Sequence, residues 1–312
     1  MPISVIMPAR NASKTIAESI RSVLASSLVS ELVIVDDLSS DRTAAIAEAL
    51  NDGRVKIVTG GGRGISAAFN AGVSVASGEY IARCDADDLY PADRLAWQRE
   101  WLERNPGYGA ISGGFRTITQ SGEPIVDLAS DGIARDVTQQ LLRGVPVTHF
   151  CGWLTRRPLV IAIGGAREWF ATAEDLDLMF RLASVGLVWH EPLVAYFYRL
   201  HDASIIHSQP NAQRQFFENS ASTFASDRLR AGSDALMRGD PPAPPSDGTS
   251  PAWSAAEQIS NQLIGAAWSA HAAGDKATAI STMRRAIKVQ CTSYTLWKHF
   301  FLIWIKRVPQ SP

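Results

Sequence analysis

The first hundred residues alternate between two hydrophobic periods, and this alternation restricts the fold more than any other feature of the chain. The apolar run Ile3-Ser4-Val5-Ile6-Met7 is stopped by Pro8 and reads as a strand. Ser13 then stands where a helix cap is needed, and Ile16, Ile20, Val23 and Leu24 follow the spacing of one helix face. Residues 32–35 repeat the strand pattern, and a segment led by Asp41, with Ile46 and Leu50, repeats the helix pattern. Residues 55–58, 65–76 and 80–84 continue as strand, helix and strand. Four strands separated by three helices predict right-handed crossovers and a parallel sheet covered on both faces. Ligands of such sheets bind beyond the carboxyl ends of the strands.

After Pro91, the spacing of Leu95, Trp97, Trp101 and Leu102 predicts a helix, followed by a strand-like run at 110–119 that contains Gly113-Gly114. Residues 120–172 carry no clear period. A helix is expected from Glu174, with Leu176, Met179, Phe180 and Leu182 on its apolar face and Gly186 past its end. On that helix Asp177 and Arg181 are expected to form a surface pair. Residues 193–198 predict one more strand. In the region from 239 to 252, Pro241, Pro242, Pro244, Pro245 and Pro251 remove donors and fix φ, which marks a linker. Beyond it, helical patterns at 255–273 and 277–288 meet at Gly274-Asp275, like a single tetratricopeptide-type hairpin. The expected organisation is a main domain at 1–210, a helical extension at 211–238, the linker at 239–252 and a helical region at 253–312.

A chain of 312 residues with 46% hydrophobic and 20% charged residues can bury a core without disulfides or structural zinc. Thirty basic residues against 31 acidic ones supply no global field for nucleic acid, so no such partner is expected. Cys84, Cys151 and Cys291 are far apart and form no C-x-x-C pair, which argues for a reducing cytoplasm. The N-terminus lacks a basic leader, and the longest apolar run, 300–305, is far short of the ~18 residues that span a bilayer; the chain is expected to be neither secreted nor integral to a membrane. The aromatic stretch 297–307, which carries Lys298, Lys306 and Arg307, suits peripheral contact with the inner face of an acidic membrane, with docking on the protein's own core as the alternative.

The strongest chemical signal is Cys84-Asp85-Ala86-Asp87-Asp88, directly after a predicted strand. Three neighbouring carboxylates repel one another unless a cation or hydrogen bonds compensate them. Hard oxygen donors suit Mg²⁺ or Mn²⁺, with substrate phosphates completing the shell, whereas capping the next helix needs only one acid. Val35-Asp36-Asp37 also follows a strand; one acid can cap a helix and the other can accept from a base N–H or a ribose hydroxyl. Gly60-Gly61-Gly62-Arg63-Gly64 matches neither the Walker nor the Rossmann pattern, and it leaves Arg63 to meet a diphosphate or a base. Glu174-Asp175-Leu176-Asp177 opens a helix, where the dipole favours acids whatever their function; the chemical alternative is a general base for an attacking hydroxyl. His149, His190, His201 and His207 show no tight metal spacing and read as structural or exposed. The exception is His201, in Tyr198-Arg199-Leu200-His201-Asp202, which can close over a metal-diphosphate from its loop.

In their order, Ser4-Val5-Ile6-Met7-Pro8, Val35-Asp36-Asp37, Arg63-Gly64 with Asn70-Ala71-Gly72, Gly78-Glu79-Tyr80-Ile81, Asp85-Ala86-Asp87-Asp88 and Glu174-Asp175 resemble the family 2 glycosyltransferases, over residues 2–208. The resemblance implies an α/β GT-A fold with a mixed, mainly parallel sheet, flanking helices and a small C-terminal helical region outside the likeness. It implies that Pro8, Ala9 and Arg10 line a nucleotide pocket, Asp37 meets the base and Arg63 lies near the nucleotide. Asp85 would hold the ribose or the metal, Asp87 the metal, Mn²⁺ or Mg²⁺, and His201 would match a metal-binding histidine. Asp175 would be the catalytic base, with Glu174 supporting it. The implied reaction is inverting transfer of a sugar from a nucleotide-sugar donor, a UDP-sugar, to a hydroxyl of a glycan or lipid-linked acceptor. The loop around His201 and the segment 153–169 are expected to close on the donor. The sequence departs from the family at Leu38, where relatives often carry glycine, and at Ala9-Arg10, where an aromatic residue is common. Two alternatives stand beside this reading. One is a non-catalytic nucleotide-sugar-binding scaffold that recruits partners through its helical tail. The other is a sugar-phosphate nucleotidyltransferase, whose glycine-rich first loop Pro8-Ala9-Arg10-Asn11 does not supply.

Overall fold

The computed structural model describes residues 1–129, 132–202, 211–245 and 254–307. His207, residues 246–253 of the expected linker and residues 308–312 of the tail lie outside the described residues. The elements in chain order are β1 (Ile3–Ala9), α1 (Ile16–Leu24), β2 (Val29–Asp36), α2 (Thr43–Ala49), β3 (Val55–Thr59), α3 (Ile65–Val75), β4 (Tyr80–Arg83) and α4 (Arg94–Arg104). They continue as β5 (Tyr108–Ile118), β6 (Pro124–Leu128), β7 (Arg135–Asp136), α5 (Thr138–Leu142), β8 (Trp153–Arg156), α6 (Arg157–Ala162), α7 (Glu174–Leu182) and β9 (Leu187–Arg199). The remaining helices are α8 (Asn211–Ala231), α9 (Ala255–Ala272), α10 (Lys276–Val289) and α11 (Tyr294–Ile305). The chain forms two compact units, Met1–Phe115 with Asp127–Tyr198 and Ala212–Gly248, and Arg116–Val126 with Arg199–Asn211 and Thr249–Pro312.

Nine strands form one sheet in the order β3-β2-β1-β4-β8-β5-β9-β7, with β6 paired to β5. The pairings β3/β2, β2/β1 and β1/β4 are parallel, as the alternating periods predict. Beyond β4 the sheet turns antiparallel, because β8 enters between β4 and β5. Alternate residues of the central strands face opposite sides. Ile6, Val33, Val35 and Ile81 pack into one core with Phe69 and the apolar face of α7, while Val5, Met7, Ile34 and Ala82 pack into the other with Ile16, Ile20 and Leu95. At the amino ends of these strands, Glu31 accepts from Ser4, Lys56 and Ser77. Burial raises its pKa, but those hydrogen bonds outweigh burial and hold it at about 2.

Three expectations are corrected. Ser13 does not cap α1: Thr15 precedes the helix, and the Ser13 N–H donates to Asp41 Oδ2. The closing segment cannot begin at Trp153, which is 1% exposed in a strand bonded on both sides, and Trp169 packs against Phe170, Phe217 and Phe224. Asp177 and Arg181 do pair, but in the interior: Asp177 is fully buried among Arg167, Arg181 and Arg228. The aromatic tail is a third helix, α11, packed beside α9 and α10 through Leu296 and Ile303. The turn between α9 and α10 is as expected, with Gly274 at φ +88° and Asp275 accepting from the Thr278 N–H at 2.9 Å.

Candidate active site

The parallel register brings the carboxyl ends of the first strands to one edge, Ala9 opposite Asp36 and Ile6 opposite Arg83. Asp37 leaves β2 with its N–H on the Ala9 carbonyl (2.8 Å). Its buried carboxylate accepts from the Gly62 N–H (2.7 Å) and the Gly64 N–H (2.9 Å). The glycine loop is therefore clamped rather than slack. A Cβ at Gly60 would stand 2.6 Å from Asp37 Oδ1, which explains glycine there. Arg63 projects from this loop, largely exposed, and meets Glu168 at 3.2 Å. Pro8 and Ala9 are buried at the end of β1, and Arg10 is exposed. The Asn11 N–H donates to Ser39 Oγ (2.9 Å) and the Ser40 N–H to Asn11 Oδ1 (2.8 Å), which joins the loops after β1 and β2. Leu38 lies at φ +59°, a region L-residues rarely adopt, so the position where relatives often carry glycine has a steric reason for it.

The acidic segment 85–88 is pinned from three sides. Thr15 and Ser19 of α1 and its approach both donate to the Ala86 carbonyl, at 3.0 and 2.9 Å. Tyr196 on β9 accepts from the Asp85 N–H (3.0 Å) and donates to Asp88 Oδ2 (2.7 Å). Arg83, 3% exposed, donates to both oxygens of Asp85 (2.7 and 3.2 Å) and to Glu174 Oε1 (3.0 Å). One guanidinium thus ties the acid motif to the first turn of α7. Cys151 adds a thiol 3.6 Å from Asp85 Oδ2. Asp87, half-buried, sits in the middle of the same turn.

At the start of α7 the two acids differ. Glu174 is buried against Arg83; burial raises its pKa, Arg83 opposes this, and the Asp175 charge adds to the rise. Asp175 stays accessible, its side chain 17% exposed, with Oδ1 accepting from the Leu176 N–H and Oδ2 3.8 Å from His149 Nε2. Ala173 before them is held at φ +59°, backbone strain of the kind kept where a side chain must be aimed. His201 is half-buried in the second compact unit. Sequence reasoning therefore finds the acids but misses Arg83, Cys151, Tyr196 and His149. Arg83 left one trace, a charge inside an otherwise apolar strand.

Among the described residues no group of three or more His, Cys, Asp or Glu side chains could cage a metal ion. Asp85 already serves Arg83, so a divalent ion here would rest on Asp87 and on oxygens brought by a ligand, the mode Mg²⁺ and Mn²⁺ adopt with phosphates.

Acids at the carboxyl ends of parallel strands, tied to a helix that opens on two carboxylates, mark the ligand-binding edge of an α/β protein. The chain belongs to glycosyl transferase family 2, whose family model matches residues 4–164. EpsE of Bacillus subtilis (strain 168) is 37% identical over 196 residues, 59% of this chain and 67% of that protein. The chain spans 42% and 31% of the length of two further curated relatives. Among solved structures, S. aureus TarS 1–349 in complex with UDP-GlcNAc is 16% identical with a TM-score of 0.58, over 99% of this chain and 82% of that one. The mannosyltransferase PcManGT from Pyrobaculum calidifontis, in complex with GDP-Man and Mn²⁺, is 21% identical with a TM-score of 0.55, over 95% of this chain and 77% of that one. These likenesses establish the GT-A fold.

Proposed function

We propose that the protein is an inverting, metal-dependent glycosyltransferase that moves a sugar from a UDP-sugar to a hydroxyl of a glycan or lipid-linked acceptor. The observation that carries this reading is the Arg83 bridge, which fixes an accessible carboxylate, Asp175, beside the acidic turn. Asp37 orients the base while its clamp presents Arg63 to the diphosphate, and Pro8, Ala9 and Arg10 line the pocket. Asp175 takes the acceptor proton as the acceptor oxygen bonds to the anomeric carbon. The bond from that carbon to the diphosphate breaks on the opposite face, so configuration inverts. A bound Mn²⁺ or Mg²⁺, held by Asp87 with Asp85 beside it, supplies charge neutralisation for the departing nucleoside diphosphate. By family likeness His201 is a further candidate ligand. TarS was solved with UDP-GlcNAc and PcManGT with Mn²⁺, which supports donor and metal.

The test is thermal stability with a panel of nucleoside diphosphates, each with and without Mn²⁺. Uridine diphosphate at a hundredfold excess over its Kd should raise the midpoint by roughly 5 °C, only with Mn²⁺, and Asp87→Ala should abolish the rise. A rise that persists in that variant, or no rise with any nucleotide, would remove the reading.

We place the working enzyme at the inner face of a membrane, through α11. No helix of the described residues is long and apolar enough to cross a bilayer. Tyr294, Trp297, Phe301, Leu302, Trp304 and Ile305 nevertheless remain exposed on α11, opposite the buried Leu296 and Ile303. From residue 254 on, seven Lys and Arg stand against only Glu257 and Asp275, although the chain as a whole is nearly balanced. Interfacial aromatics flanked by cations suit an anionic headgroup layer. The double change Trp304→Ser with Ile305→Ser, which leaves the packed face untouched, should weaken flotation with phosphatidylglycerol vesicles at least tenfold. Equal binding by both forms would sink the membrane reading.

A further inference from the structure

We infer that His149 is the positioning residue for Asp175, an inference that rests on Asp175 being the base. The ring is held at Nδ1 and lies among three aromatic rings. Its Nδ1 accepts from the Cys151 N–H at 3.3 Å, capping the short 3₁₀ turn Phe150–Gly152. A nitrogen that accepts carries no proton, so the neutral imidazole has its hydrogen on Nε2, the atom 3.8 Å from Asp175 Oδ2. The ring lies parallel to Tyr196, 7° between planes, and is flanked by Phe115 and Tyr198. Tyr196 is the same side chain that pins the Asp85 N–H and the Asp88 carboxylate.

A continuous set of contacts therefore runs from the acidic turn through Tyr196 and His149 to Asp175. On the helix side the Leu176 N–H holds Oδ1 at 2.9 Å. His149 Nε2 stands 3.8 Å from the other oxygen, so a small approach on substrate binding sets the plane of the carboxylate from two directions. The lone pair of Oδ2 that His149 does not face is left for the acceptor hydroxyl. A freely rotating carboxylate would meet that hydroxyl in productive geometry only part of the time, and small misplacement is costly in such reactions. The device is not legible from spacing, since Asp175 lies far along the chain from His149 and no motif links them.

Two isosteric variants separate positioning from packing. His149→Asn keeps an acceptor for the Cys151 N–H but cannot reach Asp175; His149→Gln returns an N–H near the place of Nε2. With UDP-sugar hydrolysis by water as the readout, which needs no acceptor, His149→Asn should lower kcat about 10- to 100-fold with donor KM within about twofold. His149→Gln should recover most of that loss. In an Asp175→Asn background, adding His149→Asn should cost less than about twofold more, because the effect acts through Asp175. Circular dichroism establishes that each variant is folded. The inference fails if kcat of His149→Asn is unchanged, if Asn and Gln lose equally, or if the loss persists in the Asp175→Asn background. Full turnover by Asp175→Asn alone would instead overturn the base assignment beneath it.

Discussion

Asp177→Ala should destabilise the protein by about 3–5 kcal/mol and lower its thermal midpoint by roughly 10 °C, although residue 177 touches no part of the proposed reaction. Asp177 and Asp234 are both fully buried and share Arg167 and Arg228, with Arg181 on Asp177 alone. Arg167 forks onto both oxygens of Asp177 and also donates to Asp234 (2.9 and 3.0 Å). Arg181 bonds Asp177 at 2.8 Å, and Arg228 bonds Asp234 and approaches Asp177 at 3.6 Å. Removing Asp177 leaves Arg181 without its carboxylate and Arg167 and Arg228 with Asp234 alone, and an uncompensated buried charge costs far more than a buried pair contributes. Asp177→Asn, which keeps the shape, should lose less. The cluster also sets an acid limit. Burial raises the pKa of Asp234, but the Met237 N–H, Arg228 and Arg167 outweigh burial and hold it below its ordinary value. Its contribution to stability is thus complete above the usual aspartate range and lost as pH falls through the depressed pKa. Denaturant unfolding of wild type and both variants between pH 7 and 3 checks both points; an Asp177→Ala protein as stable as wild type would show that the cluster is dispensable.

The cluster also marks the boundary of what could be read from the chain. The strands β1 to β4 and the helices between them were legible because their signals are local: each apolar period is complete within about ten residues. Asp85, Asp87 and Asp175 were visible for the same reason, as acids at the ends of such elements. Asp177 and Arg181 looked like a surface pair because the i, i+4 spacing says nothing about burial. Their partners Arg167 and Asp234 lie 67 residues apart and meet only in the fold. Arg83, Tyr196 and His149 were hidden by topology. Strand β8 inserts out of chain order between β4 and β5, and that insertion brings the segment before it against the acidic turn. The aromatic tail falls inside the helical region expected at 253–312, whereas its packing beside α9 and α10 is written in no local pattern.

The two acids that open α7 should behave as opposites when each is neutralised in shape. Asp175→Asn should lower kcat about a thousandfold while leaving the Mn²⁺-dependent nucleotide stabilisation within experimental error, since a general base contributes to the proton transfer and not to donor affinity. Its side chain is partly exposed, and the Leu176 N–H occupies only one of its oxygens. Glu174 has no such access. It is buried on Arg83, and Arg83 in turn holds Asp85. Losing the Glu174 charge therefore loosens the bridge between α7 and the acidic turn, so its effect should reach donor binding as well as kcat. The split between the two parameters, measured by steady-state hydrolysis and thermal shift on both variants, assigns the roles. If Asp175→Asn retained its turnover while Glu174→Gln lost it with donor affinity intact, the proton would have to leave through the buried acid, and the Arg83 bridge would have to open to let it.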